Sequence, residues 1–270
     1  MTLMEALQYG TKIIGHRNAM LLLSHITNKS SSFILIHDSH ILEKHDIYLN
    51  YVNRHKNGEP LQYIIGKWEF MGHEFFTDKR ALIPRPETEL LVEETLKHIN
   101  NQNLHVLDLC TGSGCIAVAI KKLAPKTVVT AVDISKEALE LAKENAKAHN
   151  LNINFIQSDL FKMFENCEKF DVIISNPPYI PTNEITKLET CVRDYEPHLA
   201  LDGGEDGMDI YRRLVPECFK FLYPHGVLLL EIGHVFVAEL LKEVGFEDVR
   251  ILDDYAGIPR IVTGKKGKEE

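Results

Sequence analysis

The chain has 270 residues, 44% of them hydrophobic, and a formal net charge of −9. That composition supports a sizeable core in one large domain or two unequal ones. It argues against tight, sequence-indifferent binding to DNA or RNA, which needs clustered Lys and Arg. No apolar run approaches the length needed to span a bilayer. The start, Met1 to Ala6, lacks a basic stretch followed by an apolar one, so no signal peptide is expected. The five cysteines have no paired spacing and are expected as reduced thiols in a cytosolic protein.

Leu3, Ala6 and Leu7, then Ile13 and Ile14, then Ala19 to Leu23 recur at helical spacing. Phe33 to His37 is too short to assign by pattern. Ile41 to Val52 predicts another amphipathic helix, closed by Asn57 and Gly58. Residues 1–58 therefore read as a small helical domain. His37, His40 and His45 lie close together, but no Cys or acidic residue at ligand spacing joins them. They read as solvated or capping histidines, and no metal site is expected.

Residues 59–83 read as a β-hairpin linker. Leu61 to Gly66 and Trp68 to Phe76 predict paired strands, punctuated by Gly66 and Gly72. Pro86 suits the first position of a helix running to about Ile99, with Glu87 and Glu89 in its first turn. Arg85 stands between two prolines and is stiffer than an ordinary surface arginine. It is placed to hold a loop or a substrate.

From residue 84 to 270 the pattern settles into alternating strand and helix, which implies a parallel sheet with helices on both faces. His105 to Leu109 predicts a strand that runs into Cys110-Thr111-Gly112-Ser113-Gly114, then a helix from Cys115 to Leu123. Glycines between strand and helix let backbone approach a ligand. Val128 to Asp133 predicts the next strand, and its closing carboxylate can accept from ribose hydroxyls. Ser135 caps a helix to about Asn150. Ile153 to Gln157 predicts a third strand, with Asp159 beyond it placed to bond an adenine amino group. Three features together favour S-adenosylmethionine over a dinucleotide: a loop that begins on an acid, Asp108, and reads Asp-x-Cys-x-Gly-x-Gly, Asp159 at the third strand end, and Asn-Pro-Pro-Tyr at the fourth. The glycine loop alone would also suit a tight strand–helix turn, but Asp133, Asp159 and Asn176 on consecutive strand ends count against that account.

Phe170 to Ser175 predicts a buried strand that stops at Asn176-Pro177-Pro178-Tyr179, because two prolines give no N–H to a ladder. The Asn176 side-chain oxygen and the Pro177 carbonyl are two acceptors, and Tyr179 offers an aromatic face. That set suits a planar –NH2 group. The loop from Pro181 to Asp206 is long enough to wall a substrate pocket. Helices at about Asp209 to Leu222 and Val235 to Val244, and strands at Val227 to Gly233, Val249 to Asp253 and Arg260 to Thr263, complete the sheet.

These residues resemble the protein-(glutamine-N5) methyltransferases that modify peptide chain release factors. The resemblance covers nearly the whole length. It rests on Pro60 to Gly66, Ile83 to Glu89, Asp108 to Gly114, Asn176 to Tyr179, Tyr195 to Pro197 with Asp202 to Gly207, and Glu231 to Gly233. Asn-Pro-Pro-Tyr alone is shared with DNA adenine and some RNA methyltransferases; Arg-Pro-Glu-Thr-Glu is more selective.

The resemblance implies an α/β fold: a seven-stranded, mostly parallel, Rossmann-like S-adenosylmethionine-dependent methyltransferase sheet with a small N-terminal helical domain. It implies cofactor contacts from Asp108, Cys110, Thr111, Gly112, Ser113, Gly114, Asp133, Asp159, Leu160 and Asn176. It implies catalysis by Asn176, Pro177, Pro178 and Tyr179, which also bind the substrate glutamine together with Arg85 and Glu87. The cofactor leaves as S-adenosylhomocysteine. The chain departs from the family at Cys110, where glycine is usual and a side chain crowds the cofactor's methionine end. It departs again at Leu160, where an aromatic residue commonly stacks on adenine. The implied partner is a release factor recognised by residues 1–58, and the implied enzyme is a cytoplasmic monomer with no direct nucleic acid or membrane partner. The rival readings are an amino-methyltransferase acting on adenine or guanine of DNA or RNA, an enzyme for a ribosomal-protein glutamine, and a cofactor-binding module without catalysis.

Overall fold

Thr2 starts the first helix through a reciprocal pair of bonds. Its hydroxyl accepts from the Glu5 N–H at 3.1 Å, and the Glu5 carboxylate accepts from the Thr2 N–H at 2.8 Å. The structure, a computed structural model, describes residues 1–99, 103–164 and 168–268. These form two compact units: Met1–Lys67 with Glu189–Tyr195, and Trp68–Leu188 with Glu196 onward.

The first unit holds helices α1 (Leu3–Ile14), α2 (His16–Thr27), α3 (Ser31–Ile36), α4 (His45–Lys56) and α5 (Leu61–Ile65). Leu7, Leu22, Leu23, Ile34, Tyr48, Val52 and Ile64 share its core. Phe33 to Ile36, unassignable by pattern, is helical because the Ser30 hydroxyl accepts from the Phe33 N–H at 3.2 Å. Two expectations are corrected here. The helix expected from Ile41 begins only at His45, and Ile41 instead forms an isolated antiparallel bridge with Thr2. Leu61 to Gly66, expected as a strand, is helix α5. Its buried residues, Leu61 and Ile64, lie three apart, as one helical face requires, and the Tyr63 and Ile64 N–H groups both bond the Pro60 carbonyl at 3.1 Å.

A two-stranded sheet follows, β1 (Lys67–Phe70) and β2 (His73–Phe76), all but its first residue in the second unit, turning through Met71 and Gly72 at positive φ. Then follow α6 (Pro86–Ile99), β3 (His105–Leu109), α7 (Cys115–Leu123), β4 (Val128–Asp133), α8 (Lys136–Ala148), β5 (Asn154–Gln157) and β6 (Phe170–Ser175). Short helices α9 (Thr182–Ile185) and α10 (Thr190–Arg193) and a 3-10 turn at His198–Ala200 break the long loop; α10 belongs with the first unit. The chain ends in α11 (Asp209–Phe221), β7 (Leu222–Glu231), α12 (Val237–Val244), β8 (Phe246–Asp253) and β9 (Pro259–Lys266).

Seven strands make one sheet in the order β5-β4-β3-β6-β7-β9-β8. All neighbours from β5 to β7 run parallel, and β9 is antiparallel to both β7 and β8. Side chains alternate between two cores, as strand geometry dictates. Leu107, Ile173, Leu228 and Leu230 face the core shared with Tyr211, Leu214 and Leu241. Val106, Val172, Ile174 and Leu229 face the one shared with Leu91, Val92 and Ile116. The expected seven-stranded, mostly parallel α/β sheet is therefore the fold observed. After β5 the chain returns to the other side of β3. Strand order thus reverses between β3 and β6, and in open α/β sheets ligands bind at that switch, beyond the strands' carboxyl ends.

Candidate active site

A cavity of about 240 Å³ lies at the carboxyl ends of β3, β4 and β6. Its walls include Arg85, Cys110 to Ser113, Asp133, Ile134, Asp159, Leu160, Asn176 and Pro178. Asp108, Gly114, Pro177, Tyr179 and Glu87, also expected at the site, do not line it.

Asp108 lies beneath the glycine loop, fully buried. Its Oδ2 accepts from the Thr111 hydroxyl at 2.5 Å and from the Ala117 N–H at 3.2 Å, which ties the loop to the first turn of α7. Oδ1 has no hydrogen-bond partner among the described residues. Burial pushes this carboxyl up to about 7. Gly114 has φ +78, and a Cβ on it would stand 2.8 Å from that of Ala142, so only glycine lets α7 start this close to α8. Cys110 also has a left-handed backbone, φ +57, and burial pushes its thiol up.

Backbone N–H groups orient the Asp133 carboxylate. Gly112 donates to Oδ2 at 2.8 Å and Ser135 to Oδ1 at 2.9 Å. Asp159 accepts from Arg213 at 2.6 Å and pairs with Lys162 at 2.7 Å; these hydrogen bonds hold its carboxyl below the usual range. Ile134 and Leu160 supply apolar wall between the two acids. This set fits a nucleoside carrying a cationic tail: two acids, backbone amides and an apolar wall. The set therefore suits S-adenosylmethionine.

Asn176 follows β6 directly, and its Nδ2 donates to the Thr88 hydroxyl at 3.2 Å. Thr88 donates in turn to Glu231 Oε2 at 2.7 Å. The Tyr179 hydroxyl reaches Glu231 Oε1 at a long 3.4 Å, and the Tyr211 hydroxyl donates to the Glu231 carbonyl at 2.7 Å. Burial raises the Glu231 carboxyl, opposed by the Thr88 bond and the Arg260 charge. Burial also pushes the Tyr179 phenol up to about 12. Among the described residues, no backbone hydrogen bond claims the Pro177 carbonyl. A Cβ on Gly233 would meet the Tyr179 ring at 2.5 Å, so that glycine makes room for the ring. Arg85 donates to Glu196 Oε1 at 2.5 Å, and Glu196 Oε2 also accepts from the Ile83 N–H at 3.2 Å.

Reasoning from sequence did not single out Thr88 or Glu231 as site residues. One signal for Glu231 was available: it is the lone acid closing the apolar run from Val227 to Leu230.

Residues 5–66 match the family profile described as the PrmC N-terminal domain, and residues 86–204 that of the methyltransferase small domain. The release factor glutamine methyltransferase of Clostridium acetobutylicum is 40% identical over 259 residues, covering 93% of this chain and 91% of that one. Its namesake from Streptococcus pneumoniae is 46% identical over 215 residues, 78% of this chain and 76% of that one. A solved methyltransferase structure from Pyrococcus furiosus has a TM-score of 0.56 at 21% identity, over 74% of this chain and 91% of that one, a likeness of fold.

Proposed function

The chain belongs to the release factor glutamine methyltransferase family, and from that membership we propose that Asn176 to Tyr179 present a release-factor glutamine for methylation on its side-chain amide nitrogen. The enzyme depends on S-adenosylmethionine, which when bound supplies an electrophilic methyl on a positively charged sulfur. One observation carries the assignment: Asn176 and Pro178 share a single cavity with the glycine loop, Asp133 and Leu160. Methyl donor and acceptor can therefore meet there.

Cys110 to Ser113 hold the cofactor's methionine end, Asp133 accepts from its ribose, and Asp159 and Leu160 border its adenine. An amide nitrogen is a poor nucleophile because its lone pair is delocalised into the carbonyl. Asn176 Oδ1 and the Pro177 carbonyl each accept one amide hydrogen, which fixes the plane and direction of the nitrogen. Catalysis is then chiefly positioning and electrostatics, strengthened where water is excluded. The same reading makes the enzyme a cytoplasmic monomer that takes protein, not nucleic acid, as acceptor, in keeping with the net charge of −9. Sedimentation tests the monomer. Among the described residues, no helix is long and apolar enough to cross a membrane.

Asn176→Ala tests the grip. Losing one preorganised contact of this kind costs on the order of 100- to 1000-fold in rate, while calorimetry should still detect cofactor binding. A wild-type rate in this variant would exclude the assignment.

A further inference from the structure

The chain of hydrogen bonds behind Asn176 has a direction. In the bond between Thr88 and Glu231 the hydroxyl is the donor and the carboxylate Oε2 the acceptor, 2.7 Å apart. The threonine oxygen is then left with lone pairs only, and what faces it must be an N–H. That places Nδ2 of Asn176 against Thr88 and turns Oδ1 away from it. The groups are well held: Thr88 and Glu231 are 3% and 2% exposed, and Tyr211 pins the Glu231 carbonyl. The three residues come from three places in the fold: the first turn of α6, the position just after β6, and the carboxyl end of β7.

We infer that Thr88 and Glu231 are positioning residues for Asn176: their bonds decide which atom of its amide meets the substrate. The inference rests on the reading that Asn176 accepts a glutamine amide hydrogen. An Asn176 amide turned over would set its own –NH2 against the substrate –NH2, donor against donor, and the grip would become a repulsion. Thr88 stands in the cavity wall and bonds the Asn176 amide directly, while Glu231 lies outside that wall and acts on the amide through Thr88.

The test compares five forms of the full chain, using S-adenosylmethionine and release factor: Thr88→Val, Thr88→Ser, Glu231→Gln, Asn176→Ala and the double variant Thr88→Val/Asn176→Ala. Thr88→Val keeps the shape and removes the hydroxyl. Glu231→Gln keeps the shape but can donate as well as accept, so the hydroxyl is free to reverse. Both should lower kcat by about 10- to 100-fold, the cost of a misplaced group, with KM for release factor little changed. Thr88→Ser should recover most of the loss. The double variant should be no slower than Asn176→Ala, because Thr88 has nothing left to orient. Glu231→Gln also covers the case in which Thr88→Val fails to fold, as judged by thermal unfolding. Wild-type kcat in Thr88→Val and Glu231→Gln would overturn the inference, and so would a double variant slowed by the product of the two single effects. If Asn176→Ala itself keeps the wild-type rate, the glutamine grip falls. If Asn176→Ala is slow but Thr88→Val is not, only the positioning role falls.

Discussion

Asp133 has two oxygens, and the backbone claims one lone pair on each through Gly112 and Ser135. The carboxylate is therefore oriented before a ligand arrives. Asp133→Ala should weaken S-adenosylmethionine binding by about 1.5–3 kcal/mol, the worth of a hydrogen bond to a charged group. Unchanged affinity by calorimetry would contradict the assignment. Asp133 was legible in the sequence because a lone acid closes a run of β-branched residues after a glycine loop. Thr88 was not, since its partner Glu231 lies 143 positions away and only the fold joins them. Cys110 carries a left-handed backbone with φ +57, where a side chain costs roughly 1–2 kcal/mol.

At the scale of elements, Arg85 holds a loop. Its guanidinium pairs with Glu196, whose side chain is 1% exposed, and so ties the turn before α6 to the end of the long loop. That loop also lines the cavity through Pro197, Leu199 and Ala200. Arg85→Met would leave a buried carboxylate with only the Ile83 N–H. Breaking a buried pair costs about 3–5 kcal/mol, and the 32% exposure of Arg85 puts this case at the lower end. Urea unfolding measures it; a variant as stable as the wild type would show the pair to be idle. Of the two roles the sequence left open for Arg85, the ion pair supplies the first. Strands and helices of the sheet were legible because their apolar periods are long and their flanks carry caps and glycines. Two features were not. Leu61 to Ile65 is too short for period 2 and period 3.6 to differ reliably. The insertion of β9 between β7 and β8 is a matter of pairing, and periodicity carries no information about strand order.

At the scale of the molecule, the cavity is lined by residues of the second unit, and the first carries a core of its own. The first unit exposes large apolar residues: Leu35, Ile36 and Ile41 are 51%, 75% and 68% exposed. We propose that this unit recognises the release factor. Ile36→Asp should then raise KM for release factor by about tenfold, the size of a modest interface hot spot, and leave cofactor affinity unchanged. An unaltered KM would count against that role. The central claim, transfer of a methyl group to a glutamine amide, is tested most directly by the position of the methyl itself. The intact enzyme is incubated with isotopically labelled S-adenosylmethionine and a mixture of release factor, ribosomal proteins and nucleic acid, and the labelled product is sequenced by tandem mass spectrometry. The predicted result is label on one glutamine side-chain nitrogen of the release factor, lost when that glutamine is replaced by glutamate. Label on adenine, on guanine, on lysine or on a ribosomal-protein glutamine, with the release factor unlabelled, would contradict it.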